Sequence, residues 1–478
     1  MRAVIRFALA VGLAAAAALL PAAAQAAPVL LISIDGLRPG DVIEAQQRGL
    51  KLPNLRRFLI EGAYATGVVG VLPTVTYPSH TTLITGASPA RHGIWSNTTF
   101  DPLQVNSSGW YWYASDIKLP TLWSVAAAAG ITVGNVHWPV SVGAKGISWN
   151  LPQLWRSGNA DDAKLLGALA TPGLIPELEQ ATRERYAGGI DESVEGDENR
   201  GRFAVALIQR HRPGFATVYL AALDHTQHED GPDSAAAHAV LERIDTTVGK
   251  VIAAERKVHP DAVIALVSDH GFAAVSHETN LFRLFIDAGL ITLDKDGKVQ
   301  SWLAMPWPSG GSAAVVLARP SDVELQAKVL ATIVRAAADP TTGIASIAVP
   351  DGIAELGGNP QASFFVNFAM GTSAGSFADR DKGLTRVPHN KGTHGWFPAA
   401  PAMRSTFMLM GPGIPKAHSL GEIDMRSIAP TLAAIMHVRL SGAELPALGF
   451  GKNVQRTARF GRQHMSGSCQ VVAQVCQR

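Results

Sequence analysis

The chain has 478 residues, 47% of them hydrophobic and 17% charged, with 46 Gly, 29 Pro and only two Cys. That balance excludes a disordered chain, and 41 basic against 39 acidic side chains leave a charge of +2, too little to hold nucleic acid non-specifically. Two cysteines exclude a disulfide scaffold or a Cys-rich zinc module, and the length allows about three average domains or one large α/β domain with insertions.

At the amino terminus Arg2 and Arg6 precede an apolar, Ala-rich run ending in Ala24-Gln25-Ala26. A basic start, an apolar middle and a small-residue end read as an export signal cleaved after residue 26, which places the protein in the periplasm or outside the cell. The competing reading is a membrane anchor, and Pro21 with the A-x-A end favours cleavage. No later stretch reaches the roughly 18 apolar residues of a membrane span, so no membrane association is expected after cleavage.

Residues 27–478 then read as one α/β domain. Val29 to Ile34 is a continuous apolar run ending in Asp35-Gly36. Pro73 to Gly86 reads as a strand or loop entering a helix, with Pro78 in the first turn. Seven of the ten Trp lie between 95 and 155, interleaved with Tyr111 and Tyr113. Most of them suit a core, and the Trp110, Tyr111, Trp112, Tyr113 run is the candidate for an exposed, substrate-binding platform. A second apolar run, Ala216 to Leu223, ends in Asp224, and a third, Ala262 to Val267, leads into Ser268-Asp269-His270-Gly271. Such runs suit strands buried on both faces of a parallel sheet. Between them, Leu241, Ile244, Val248, Val251 and Ile252 recur at helical spacing. The fold class is therefore α/β, with a central, mostly parallel sheet flanked by helices.

Residues 271–393 are too many for one connection and carry Gly/Pro/Ser punctuation from Pro306 to Gly311. They read as an inserted cap or lid of the kind that chooses substrates. Beyond it come Gly392-Thr393-His394-Gly395, a turn of small residues, and a tail over 452–478 with Cys469 and Cys476 close enough in sequence to clip it.

Ligands in open α/β sheets bind beyond the carboxyl ends of the strands, which gathers Asp35, Asp224 and Asp269 at one edge. One such Asp is usually a cap, but three, with His228 one helical turn from Asp224 and His270 beside Asp269, point to metal. With His394 they give three Asp and three His, enough for two ions with open positions. Oxygen and nitrogen donors suit Zn²⁺, with Mn²⁺ the alternative. Two divalent ions over three carboxylates leave a positive pocket, which fits a phosphoryl group. His80, His92 and His225, which neighbour the key segments, read as structural or as supports behind the ligands. A hydroxyl at the helix start near Pro78 would serve as nucleophile, with Thr74, Thr76 and Ser79 as rivals and a plain N-cap as the bland reading.

The pieces SIDGLRPGD, PTVTYPSHTTLITGASPARHGIWSN, LDHTQHEDGP, SDHGF and GTHGW stand in the order and wording of the nucleotide pyrophosphatase/phosphodiesterase family of the alkaline phosphatase superfamily, which the chain resembles. The resemblance implies an alkaline-phosphatase-like fold and Thr76 as nucleophile. It puts Asp224, His228 and His394 on one Zn²⁺, and Asp35, Asp269, His270 and the Thr76 oxygen on the other. Asn97 matches the amide that holds a phosphate oxygen beside the Thr76 N–H. It implies two-step cleavage of phosphodiester or pyrophosphate bonds in a small-molecule, nucleotide-type substrate through a phospho-threonine intermediate. Ser79, Gln227 and Trp396 stand where the family often has Asn, Gly and Tyr, which bears on substrate and not on chemistry. A neutral Asn97 favours a diester over a monoester, unless Lys118, Arg156 or Lys391 enters the site. The alternatives are a phosphomonoesterase or phosphonoacetate hydrolase of the same superfamily, and a binding protein that has lost catalysis.

Overall fold

A computed structural model describes residues 26–106, 109–154, 161–186 and 191–450. The export signal up to residue 25, Trp155, Arg156, Cys469, Cys476 and the 452–478 tail lie outside the described residues.

The apolar runs form the middle of an eight-stranded sheet. In chain order its strands are β1 (Val29–Ile34), β2 (Ala63–Val69), β3 (Val133–Val136), β4 (Trp149–Leu151), β5 (Phe215–Leu220), β6 (Val263–Val267), β7 (Phe407–Met410) and β8 (His418–Asp424). Their spatial order is β8-β2-β7-β6-β1-β5-β3-β4. Only β7 runs against its neighbours β2 and β6; the other pairings are parallel. β1 lies centrally between β5 and β6, and all six of its residues are buried. Alternation sends Leu30, Ile32 and Ile34 into the core on one face, and Val29 and Leu31 into the core on the other.

Four of the helices are α1 (Thr76–Thr85), α2 (Val194–His211), α3 (Ala222–Asp230) and α4 (Ala235–Val258). Leu83 and Ile84 of α1 pack on one face of the sheet, while Phe203 of α2 and Leu241 and Ile244 of α4 pack on the other. α1 stops at Gly86, whose φ of 69° suits the left-handed cap. α4 starts at Ser234, whose hydroxyl accepts from Ala237 N–H.

The second run departs from the sequence expectation. Strand β5 stops at Leu220, and Asp224 sits in the first turn of α3 instead of at the strand's tip. Ala222 and Leu223 are apolar because the start of this helix is itself buried. A second departure lies in the 271–393 region, where Ala304–Ser309 and Ser312–Leu317 pair antiparallel through the turn Gly310-Gly311. Pro306 and Pro308 therefore lie in a strand and do not punctuate a loop. Their strand is at the edge of a four-stranded sheet, where a missing N–H donor is tolerated. That sheet and the helices Leu281–Asp287 and Val323–Ala337 enclose a separate apolar core.

Candidate active site

At the carboxyl edge of the sheet, the segments after β1, β5 and β6 bring Asp35, Asp224 and Asp269 together. The His270 ring is at their centre, its Nε2 3.0 Å from Asp269 Oδ2, 3.3 Å from Asp35 Oδ1 and 3.9 Å from Asp224 Oδ1. His228 Nε2 is 3.4 Å from Asp224 Oδ2, one turn along α3, and His394 Nε2 is 3.6 Å from Asp224 Oδ1. The rings of His270 and His394 stack with centroids 3.6 Å apart.

Each ring is oriented from behind. His228 Nδ1 donates to Gly392 O at 2.9 Å, His394 Nδ1 to Thr74 O at 3.0 Å and His270 Nδ1 to Gly271 O at 3.1 Å. In the neutral form of each ring that leaves Nε2 facing the carboxylates as the acceptor. Tyr219 donates to Asp35 Oδ2, and Gly36 N–H donates to Asp269 Oδ1. The opposite oxygens, Asp35 Oδ1, Asp224 Oδ1 and Asp269 Oδ2, are buried without a hydrogen-bond partner. Three orphaned carboxylate oxygens converging with three imidazole nitrogens form a donor set for metal ions. Among the described residues two groups have ligand atoms mutually within 4.8 Å: Asp224, His228 and His394, and Asp35, Asp224 and His270. Asp224 thus reaches both groups, a sharing that the assignment by resemblance does not contain.

Electrostatics fit the same reading at Asp35, Asp224, His228 and His394. At His270 burial is outweighed by the neighbouring Asp269 and Asp224, which raise the imidazole above its ordinary range, a proton that a metal ion would displace. Burial, then the neighbouring Asp269 and Asp224, holds the Asp35 carboxyl well above its ordinary range. Burial likewise pushes Asp224 up to about 8. Burial also lowers His228 to about 4 and His394 well below the usual imidazole range, so both rings are neutral and able to ligate.

Of the three candidate hydroxyls, Thr76 is the one that lines the cavity here. Its Oγ1 is 3.5 Å from His270 Nε2, at the first residue of α1. Thr74 Oγ1 is turned away and donates to Trp396 O at 2.7 Å. Ser79 is fully buried and does not line the cavity. Asn97 Oδ1 accepts from Tyr77 N–H at 2.9 Å, which sets the amide flip and turns its NH₂ the other way. His80 sits beneath the nucleophile, bonded to Thr76 O and Ser33 Oγ.

The aromatic run is split. Tyr111 and Trp112 are buried in a cluster with Tyr77, Tyr113 is half exposed, and only Trp110 of the four lines the cavity. The expected platform therefore shrinks to Trp110, because the neighbouring rings fill the space behind Tyr77. Gln153, Glu192 and Tyr219 also line the cavity and carry no signal in spacing or motif. Lys118 lies over the Trp95 ring and Lys391 pairs with Asp230, so neither enters.

The His394 loop is held from the 271–393 region. Gly311 N–H donates to His394 O at 2.8 Å and Ser312 Oγ donates to Gly395 O. A Cβ at Gly310 would stand 2.1 Å from His394 O, and one at Gly311 2.1 Å from the Trp396 ring. Glycine is required at this turn by close approach.

Residues 29–350 match the family model "Type I phosphodiesterase / nucleotide pyrophosphatase". The chain belongs to this family. It is 26% identical over 265 residues to human ectonucleotide pyrophosphatase/phosphodiesterase family member 1, covering 52% of this chain and 24% of that protein. It is 25% identical over 265 residues to venom phosphodiesterase 2 of Crotalus adamanteus, covering 54% and 28%. The chain thus spans about a quarter of the length of these curated relatives. Human ectonucleotide pyrophosphatase / phosphodiesterase 5 superposes with a TM-score of 0.62 at 19% identity, covering 88% of this chain and 97% of that one. An inactive form of the murine protein in complex with AMP gives 0.63 at 20% identity, covering 88% and 97%. The fold is alkaline-phosphatase-like, as the sequence resemblance implies.

Proposed function

We infer that the protein is a metal-dependent phosphodiesterase that cleaves phosphodiester or pyrophosphate bonds in small, nucleotide-type molecules. The observation that carries this is Thr76 at a helix N-terminus, its hydroxyl facing a cavity into which unpaired carboxylate oxygens and imidazole nitrogens converge.

Asp224, His228 and His394 would hold one ion, and Asp35, Asp269 and His270 with Thr76 the other; two Zn²⁺ suit these donors. When bound, such a pair supplies Lewis acidity to the phosphoryl oxygens and lowers the cost of oxyanions at neutral pH. The chain's own residues do the rest. Thr76 Oγ attacks phosphorus, forming an O–P bond while the leaving ester's P–O bond breaks. Water then displaces Thr76 and frees the phosphate product. The Asn97 NH₂ and the Thr76 N–H at the start of α1 steady the charge that builds on the phosphoryl oxygen. Among the described residues no Lys or Arg lines the cavity, which favours a diester monoanion over a monoester dianion. The AMP complex of the murine relative supports a nucleotide arm. Residues 271–393 act as the cap over this site and as the support of His394. Among the described residues no helix is long and apolar enough to cross a membrane, which suits an exported enzyme.

Mixing enzyme with the thymidine 5′-monophosphate p-nitrophenyl ester, quenching in acid and mapping peptides by mass spectrometry should show a nucleotidyl adduct on Thr76. Thr76→Ala should show neither adduct nor turnover. Turnover that survives both Thr76→Ala and chelation overturns the mechanism, and preference for p-nitrophenyl phosphate over its bis ester overturns the diester reading.

A further inference from the structure

The cavity over Thr76, of about 180 Å³, holds two groups that the reaction at phosphorus does not use. Gln153 is only 2% exposed, and its Oε1 has no hydrogen-bond partner. Glu192, just before the Ser193 cap of α2, adds a carboxylate to the same wall. His225 Nδ1 is 3.6 Å from it but outside the lining, and that ring is shared with Glu229. Arg200 is fully buried and committed to Asp197 and to Asp191 O.

Both groups are acceptors. An amide oxygen buried without a donor is costly, and so is a carboxylate in a pocket that must also receive an anionic phosphoryl group. A positive group that brings N–H donors would relieve both costs, and no described residue of the lining supplies one. It must arrive with the ligand.

We propose that Glu192 and Gln153 form a subsite for a primary ammonium on the ester arm that stays on phosphorus. The proposal rests on the phosphodiesterase reading and adds phosphodiesters of short amino alcohols to the nucleotide-type substrates. A primary ammonium has three N–H donors, enough for a carboxylate and an amide oxygen together. A quaternary ammonium has the charge without the donors, and a nucleoside has donors without the charge. The small cavity suits a short arm.

The test uses the metal-loaded enzyme and three p-nitrophenyl phosphodiesters that share a leaving group: 2-aminoethyl, n-propyl and 2-(trimethylammonio)ethyl. The kcat/KM for the aminoethyl ester should exceed that for its neutral propyl isostere by about tenfold, the gain of one charge-assisted hydrogen bond. Glu192→Gln should collapse that ratio to near one, and Gln153→Met should shrink it. A ratio within one protein is not moved by a general loss of folding. Calorimetric binding of phosphoethanolamine and n-propyl phosphate should show the same preference and the same loss in Glu192→Gln. Equal values in the parent protein, a preference that survives Glu192→Gln, or a trimethylammonio ester as good as the aminoethyl one overturns the subsite. If no ester is turned over, the phosphodiesterase reading fails and the binding pair alone decides the subsite.

Discussion

Replacing His80 with leucine tests how the nucleophile is held. His80 is fully buried on α1, its Nδ1 donating to Thr76 O at 2.9 Å and its Nε2 accepting from Ser33 Oγ of β1 at 2.8 Å. The negative Asp269 Oδ2, 3.6 Å from Nδ1, favours the proton on that nitrogen by its charge. Burial lowers the imidazole below its ordinary range, so the neutral ring is the working form. Leucine removes the bond to Thr76, about 0.5–1.5 kcal/mol, and leaves the buried Ser33 hydroxyl alone at about 1–3 kcal/mol, so stability should fall by about 2–4 kcal/mol. Untied from β1, Thr76 Oγ1 does not keep its place 3.5 Å from His270 Nε2, and a displacement of about 1 Å costs roughly a hundredfold in rate. Urea unfolding reads the first effect, and kcat with the thymidine p-nitrophenyl ester at saturation reads the second. Adding Ser33→Ala removes the orphaned hydroxyl and should return about 1–2 kcal/mol of stability without restoring kcat, a coupling that a double-mutant cycle exposes. A His80→Leu enzyme whose kcat stays within about threefold of the parent refutes the positioning argument, whatever its stability.

Chelator-treated protein should lose stability as pH rises from about 6.5 to about 8, above the range in which the lowered imidazoles of His80, His228 and His394 would take up protons on unfolding and oppose the trend. Burial, with the charges of Asp269 and Glu192, pushes Asp224 up to about 8, and burial with Asp269 and Asp224 raises Asp35. The native state therefore keeps protons that the unfolded chain has released; this stabilisation is full below the ordinary carboxyl range and gone above the raised one. Melting temperatures across that range check it, Zn²⁺ should offset the loss while releasing protons, and a flat or rising metal-free profile contradicts it. Arg200→Leu leaves Asp197 buried without its cation and should cost about 3–5 kcal/mol. Asp197 also accepts from Ala221 and Ala222 N–H at 2.9 Å, at the start of the helix that carries Asp224, so metal content should fall with stability. A loss under about 1 kcal/mol in thermal unfolding would show that the pair is not needed.

The parts of this site that follow simple periodicity are legible in the sequence. Continuous apolar runs mark β1, β5 and β6, and the residues after them place Asp35 and Asp269 at one edge. Local pattern fails where burial continues across a change of element. Ala222 and Leu223 look like strand, yet they begin a helix, because the core accepts apolar residues from either. It fails again at Pro306 and Pro308, where breakers sit in an edge strand whose outer side needs no donors. Glu192 and Gln153 could not be found this way, since neither belongs to a repeat or a spaced pair; only the closing of the chain brings them to Thr76.

The turn at Gly310-Gly311 gives the 271–393 region a role that its length alone does not suggest. A segment read as a cover would expose the site if it were removed. Here its turn bonds His394 O, its Ser312 bonds Gly395 O, and its glycines leave room for that carbonyl and for the Trp396 ring. His394 in turn rests on Thr74 O, two residues before the nucleophile. The inserted sheet, the His394 loop and the approach to α1 therefore form one continuous support. A side chain forced onto Gly310 or Gly311 would act through that support on both His394 and Thr76, so this region belongs to the site's framework.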